Sequence, residues 1–183
     1  MKKDKKDIVR CLYTHNQLLA GAQTFLNQSK LNNEFNNTMG CVLFCAFALE
    51  ASLNHLGKTL FPFWNEHLKR KLNPEGKLTL IASEINMTVD FGSKPFQAFR
   101  AIFEFRNQIA HATTEDLKLD SGKNWLEYGN YCWPVAKWEV LCTSEQASLL
   151  LQDTREMIDK LFINSGAEII PDFLISEHIK REK

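Results

Sequence analysis

The sequence predicts an all-α fold, an antiparallel helical bundle with one small insertion. Apolar residues recur every three to four positions along most of the chain, which is the spacing of one face of an α-helix. The 183 residues are enough for one domain with a sizeable core, and the 44% hydrophobic content is typical of globular proteins. We therefore expect a single helical domain over residues 1–166, followed by a C-terminal tail at 167–183.

Turn signals divide the apolar pattern into helices. A first helix is predicted over 4–32, and a second over 38–60 ends before Pro62, because a residue that precedes proline disfavours helix. The centre of the second helix is apolar on all sides, which predicts the buried helix of the domain. We expect it to pack against a helix over 94–112, since these two segments have the densest apolar periodicity.

Capping signals bound the other predicted helices, which cover 63–71, 77–87 and 143–166. Ser93 is predicted to cap the helix over 94–112. The last helix should begin at a capping box that opens with Thr143, and Gly166 should cap its C-terminus.

The segment 113–142 breaks the helical pattern and predicts an aromatic-rich loop or small β-hairpin. We expect 131–133 and 137–142 to be its strands. Large aromatic residues concentrate over 125–138, namely Trp125, Tyr128, Tyr131, Trp133 and Trp138. They are interpreted either as a stacking surface for RNA bases or as rings that fold against the helices.

Composition limits the classes of function. The 22 basic and 22 acidic residues argue against a protein that coats nucleic acid by charge alone, although a local basic site is compatible with them. Five cysteines without a C-x-x-C pattern predict reduced thiols in a cytoplasmic protein. Cys41 and Cys45 lack further ligands nearby, so we expect buried thiols and no metal. The apolar run 41–49 is too short for a membrane span, and no cofactor-binding motif occurs.

Arg106, Asn107 and His111 are the candidate site residues. They follow a phenylalanine-rich helix, and helical geometry places Arg106 on its apolar face. A guanidinium there needs a carboxylate, a phosphate or access to water. Asn107 and His111 are four residues apart and share a face, so the amide can orient the imidazole. Arginine suits a phosphate and histidine suits proton transfer, whereas the ordinary alternative is a snorkelling arginine beside a surface histidine.

Glu50 is the fourth candidate, as a residue that supports Arg106. It directly follows the apolar run of the second helix, where a carboxylate needs a cation. An ion pair between Glu50 and Arg106 would satisfy both charges, and a carboxylate that meets solvent or Lys58 is the alternative. Asn54 and His55 are weaker candidates for the same cleft.

The string RNQIAH at 106–111 resembles the R-x(4–6)-H signature of the HEPN superfamily, in which a polar residue often follows the arginine. The resemblance implies an all-helical and usually dimeric protein. Many HEPN proteins are metal-independent endoribonucleases of toxin–antitoxin or phage-defence systems. The likeness extends loosely to the helical layout over 5–165. Some families also carry a tyrosine two residues after the histidine, where this chain has Thr113.

This resemblance implies that Arg106 stabilises charge on a phosphate while the 2′-OH of RNA attacks it, and that His111 moves protons. One imidazole serves poorly as acid and base in a single step, so we expect a homodimer that joins two copies of His111. RNA and an antitoxin or other protein are the expected partners. Two alternatives stay open: a non-catalytic module that binds nucleotide or RNA phosphate, and a helical interaction subunit.

Overall fold

The computed structural model describes residues 12–32, 35–118, 125–128 and 131–167, which are mainly helical. The helices are α1 (Thr14–Asn32), α2 (Phe35–Leu60), α3 (Pro74–Glu84), α4 (Gln97–Ala110) and α5 (Ser144–Ser165). A π-helical turn (Trp64–Leu68) follows α2, and a 3₁₀ turn (Glu139–Leu141) precedes α5. The predicted all-α class is confirmed at this level. The predicted start of the first helix near residue 4 and most of the predicted tail at 167–183 lie outside the described residues.

Helix α2 packs against each of the other four helices. Leu49, Leu53 and Leu56 on α2 are almost completely buried, as are Phe99 and Phe105 on α4. The prediction that 38–60 packs on the motif helix is therefore confirmed. Helix α2 is the central helix but is not buried on all sides, since Phe47 is 43% exposed. The candidate residues at the end of α4 consequently lie beside α2.

Two glycines allow α1 and α2 to approach each other closely. A Cβ atom at Gly40 would lie 3.1 Å from the Phe25 ring, and one at Gly21 would press on the Phe44 ring. Each glycine on one helix thus faces a phenylalanine on the other. Because Gly21 faces the later Phe44 while Phe25 faces the earlier Gly40, the two helices run antiparallel.

Helices α2 and α5 run in the same direction. The Thr38 hydroxyl donates to the Cys142 carbonyl at 2.8 Å, and the Cys41 thiol donates to the Ala147 carbonyl at 3.8 Å. The later residue of one segment thus contacts the later residue of the other, as in a parallel pair of helices. The prediction of an antiparallel bundle is wrong for this pair. The long connection between α2 and α5 permits a parallel arrangement, which a short loop would not.

The ends of α5 match the predicted capping signals. The Thr143 hydroxyl accepts a hydrogen bond from the Gln146 backbone N–H at 3.1 Å. Gly166 ends the helix with φ of 65°, a conformation that glycine adopts without steric cost.

The beginning of α4 differs from the prediction. The helix starts at Gln97, and no side chain caps it. The Ser93 hydroxyl donates instead to the Asp90 carbonyl at 3.4 Å, while the Ser93 carbonyl accepts from the Gln97 N–H at 2.8 Å. Ser93 thus belongs to a turn before the helix, and the predicted cap is wrong.

The insertion contains two short strands, β1 (Trp125–Tyr128) and β2 (Tyr131–Pro134). They pair antiparallel, with Trp125 opposite Pro134. The predicted pairing of 131–133 with 137–142 is wrong, because the later segment contains the 3₁₀ turn.

Trp138 packs against the helices. Its ring centroid lies 5.9 Å from that of Phe35 and 6.3 Å from that of Phe105. For Trp138, the structure therefore agrees with the interpretation that the aromatic rings fold against the helices. The other four aromatic side chains of 125–138 lie outside the described part, and their RNA-stacking role stays a prediction.

By length and composition alone, α2 is the one helix in the described residues that could cross a membrane. Half of the most apolar 18-residue stretch of α2 is buried inside the fold. Core helices of water-soluble domains share this pattern with membrane helices, so it assigns α2 to neither class.

Candidate functional site

The candidate motif occupies the last turn of α4. His111 is the first residue beyond the helix, and its backbone N–H donates to the Asn107 carbonyl at 3.0 Å. Asn107 and His111 are exposed, whereas the Arg106 side chain is 22% exposed. The motif therefore presents an accessible amide and imidazole beside a half-buried guanidinium.

Asn107 and His111 line a groove of about 660 Å³ between α4 and the start of α3. Phe103 and Gln108 of α4 and Asn73 before α3 also line it. Arg106 is not part of this lining. Within one chain the structure thus brings two of the three motif residues into one groove and places the third on the neighbouring side of the helix.

The groove carries more negative than positive charge. Glu75, Glu104 and Glu115 line it, and Arg100 is the arginine among its lining residues. Arg100 is already bound to Glu75, with Nη2 2.7 Å from Oε1. This pair also lowers the pKa of the Glu75 carboxyl through its hydrogen bond from Arg100. The groove of a single chain therefore offers little electrostatic attraction to an RNA backbone.

The predicted ion pair between Glu50 and Arg106 is present. Nη2 of Arg106 donates to Oε2 of Glu50 at 3.2 Å, which connects α4 to α2. The guanidinium carbon also lies 5.5 Å from the Phe103 ring centroid, in the range of a cation–π contact. Nε of Arg106 is buried and has no hydrogen-bond partner among the described residues. Arg106 is thus held by Glu50, and the 22% of its side chain that stays exposed is the part that an anion can reach.

Lys77 is a second cation on Glu50, and sequence reasoning missed it. Its Nζ lies 3.0 Å from Oε1 of Glu50, and its side chain is only 3% exposed. Helical spacing does place Lys77 on the apolar face of α3, with Leu78 and Ile81. The signal was missed because the predicted helix began at residue 77, where a lysine meets solvent. The predicted alternative partner, Lys58, is exposed near the end of α2.

Asn54 and His55 do not line the groove of His111. Oδ1 of Asn54 is buried without a partner in the described residues. His55 belongs to a different cluster, where its ring stacks on Phe162 at 5.7 Å and lies 5.7 Å from the His15 ring. The suggestion that His55 shares the motif cleft is therefore wrong.

The histidine cluster is buried enough to disfavour charge. Burial, followed by the nearby His55, lowers the pKa of His15 to about 4. Burial also lowers the pKa of His55, and Lys58 adds to that effect. Both imidazoles are thus predominantly neutral near pH 7. Their ring contacts pack the start of α1 against α2 and α5.

Cys41 and Cys45 are buried thiols within the core. Across the described ranges, no group of three or more histidine, cysteine or carboxylate side chains is arranged to hold a metal ion.

Comparisons with protein-family models, with curated proteins and with solved structures found no match. They assign no family to this chain.

Proposed function

We propose that the chain is a HEPN-like, metal-independent endoribonuclease that acts as a cytoplasmic homodimer in a defence or toxin–antitoxin system. One observation carries the proposal: the end of α4 combines an exposed His111, an adjacent Asn107 and an Arg106 whose orientation is set by Glu50. These are the groups that the R-x4-H resemblance requires, in one turn of one helix. The free thiols of Cys41, Cys45 and Cys142 accord with the cytoplasmic location.

The proposed reaction uses only groups that the protein and the RNA supply. The ribose 2′-OH loses its proton to an imidazole and attacks the adjacent phosphorus. The bond from phosphorus to the 5′-oxygen breaks, and this oxygen takes a proton from a second acid. The products are a 2′,3′-cyclic phosphate and a free 5′-OH. Arg106 stabilises the phosphorane charge, because a guanidinium donates two parallel hydrogen bonds to phosphate oxygens.

A second copy of the chain is needed for this chemistry. Each groove contains one imidazole, that of His111, and an efficient reaction requires a base and an acid together. A two-fold axis near the end of α4 would supply the second imidazole and a second guanidinium.

A second candidate function is a non-catalytic helical module that binds a protein or a phosphate. The acidic lining of the groove, Glu75, Glu104 and Glu115, favours it, because these carboxylates repel an RNA backbone. In this alternative, the pair of Glu50 and Arg106 mainly connects α2 to α4.

The direct test is incubation of purified protein with single-stranded RNA in EDTA, followed by analysis of the product ends. The proposal expects cleavage that leaves 2′,3′-cyclic phosphate or 3′-phosphate ends. Cleavage that requires added metal would contradict the mechanism. Binding without cleavage would select the non-catalytic module.

A further inference from the structure

We infer that Lys77 is a positioning residue that allows Glu50 to release Arg106 to an incoming phosphate. This inference rests on the proposed function, because it assigns a role to a residue behind the same candidate site. It concerns the Glu50 triad, which we define as Glu50, Lys77 and Arg106.

Burial of the Lys77 ammonium group is unfavourable unless an anion compensates its charge. Its side chain is 3% exposed, and removing an ammonium group from water costs several kcal/mol without compensation. It also lies one turn into α3, near the positive end of the helix dipole. An apolar side chain would fill the same space without either cost. The ion pair with Glu50 compensates the charge and gives it a role.

The triad divides one carboxylate between two cations. Oε1 of Glu50 faces Nζ of Lys77 at 3.0 Å, and Oε2 faces Nη2 of Arg106 at 3.2 Å. If Arg106 turns away, Glu50 keeps its bond to Lys77. Without Lys77, the same movement would leave a carboxylate that is only 32% exposed with no cation, which is unfavourable.

The triad also contains more positive than negative charge, because two cations share a single carboxylate. An anion that binds Arg106 would therefore neutralise the surplus. The Arg106 side chain is 22% exposed, so a phosphate can approach it from solvent. Glu50 accepts one hydrogen bond from the guanidinium, which has five N–H donors, so the exposed part of Arg106 keeps donors for a phosphate. Arg106 can thus exchange Glu50 for a phosphate while the carboxylate stays neutralised.

The experiment compares Lys77→Met with a matched control, Lys160→Met. Both remove one ammonium group by the same substitution, but Lys160 pairs with Glu156 on the exposed face of α5, at 2.9 Å. The probe is a labelled single-stranded RNA with 2′-O-methyl groups on every sugar, which lacks the attacking hydroxyl. Fluorescence anisotropy gives its Kd. We expect Lys77→Met to bind about tenfold more weakly than Lys160→Met, as for loss of one charge-assisted hydrogen bond.

A double variant, Glu50→Gln with Lys77→Met, separates release of Arg106 from a loss of folding. It removes the carboxylate that holds Arg106, so the affinity should return to that of the wild type or exceed it. The ¹⁵N–¹H resonance of Arg106 Nε gives an independent readout, and in the wild type it should shift when inorganic phosphate is added.

Three results would overturn the inference: equal Kd values for Lys77→Met and Lys160→Met, a double variant as weak as Lys77→Met, or no phosphate-dependent shift. Cleavage of unmodified RNA by the wild type is measured separately. If the affinities follow the expected order but no RNA is cut, the nuclease proposal fails while the role of Lys77 is supported.

Discussion

Oε2 of Glu50 and Nη2 of Arg106 lie 3.2 Å apart, although 56 positions separate the two residues in the chain. The contact joins the most buried helix to the helix that carries the candidate motif. Because Glu50 also binds the buried Lys77, this one carboxylate bridges cations on both α3 and α4. Substitutions at Glu50 should therefore affect stability more than those at other carboxylates that pair between helices.

Glu50→Ala should destabilise the protein much more than Glu75→Ala. Glu75 also bridges two helices, but its pair with Arg100 is exposed, and exposed pairs contribute little to stability. Loss of Glu50 leaves Lys77 buried without an anion. We expect a cost of about 2–3 kcal/mol, at or below the lower end of the about 3–5 kcal/mol for a fully buried pair, because Glu50 is one-third exposed. Urea unfolding of both variants measures the difference. Equal midpoints would show that the triad contributes no more than a surface pair.

His111→Ala should nearly abolish RNA cleavage while leaving the fold intact. Loss of a general acid or base typically lowers the rate by about 10²–10⁴-fold. His67→Ala is the matched control, because His67 is an exposed histidine outside the groove. The rate in EDTA and the circular dichroism spectrum are compared for both. Full activity of His111→Ala would disprove the assigned role. Asn107→Ala should have a milder effect, because the role proposed for its amide is only to orient the imidazole.

The active species should be a dimer in which both His111 side chains serve one site. Light scattering at micromolar concentration should give twice the 21.1 kDa mass of the chain. When wild type is mixed and re-equilibrated with His111→Ala, mixed dimers should be inactive. The specific activity should then fall with the square of the wild-type fraction. A linear dependence would show that each chain works alone.

Acidification should destabilise the fold through His15. The pKa of His15 is lowered to about 4 in the folded chain, mainly by burial, so the unfolded chain takes up a proton first as the pH falls below about 6.5. Stability is therefore lost between about pH 6.5 and pH 4. The loss from pH 7.5 to pH 5 should be about 2 kcal/mol.

Urea unfolding at both pH values tests this prediction. His15→Gln should lose most of the pH dependence and retain a smaller part from His55, whose pKa is also lowered. The control variant His67→Gln should keep the full dependence. A wild type whose stability is equal at the two pH values would contradict the prediction.

Gly57→Ala should destabilise the protein, although alanine normally favours a helix over glycine by about 0.5–1 kcal/mol. A Cβ atom at Gly57 would overlap the indole ring of Trp64, which is completely buried. Overpacking of this kind costs about 1–3 kcal/mol. Thermal unfolding shows the sign of the change directly. A raised Tm would mean that Trp64 can shift.

The helices could be predicted because their signals are local. Thr143 and Gly166 bound α5 as expected, since a cap depends on residues within one turn. The start of α3 was less predictable. The Asn73 side chain accepts from the Gly76 N–H at 2.7 Å and starts the helix at Pro74, before the predicted residue 77.

A contact between distant segments could be predicted only where two side chains of opposite charge each lacked a partner nearby in the sequence. Glu50 and Arg106 each lacked a partner on an apolar helix face, so their pairing followed from charge. Lys77 is also on an apolar helix face, with Leu78 and Ile81, but this face is evident only when the helix starts at Pro74 rather than at residue 77. The parallel course of α2 and α5 depends on the path of the intervening segments, which apolar periodicity does not describe.

The contacts of α2 with all four other helices also suggest an order of folding. Its partner α1 is adjacent in sequence, so the contacts of Gly21 with Phe44 and of Phe25 with Gly40 close a short loop at small entropic cost. The contact of Thr38 with Cys142 closes a much longer loop and should form later. Substitutions at Phe25 should therefore slow folding, whereas those at Met157 in the core of α5 should mainly accelerate unfolding.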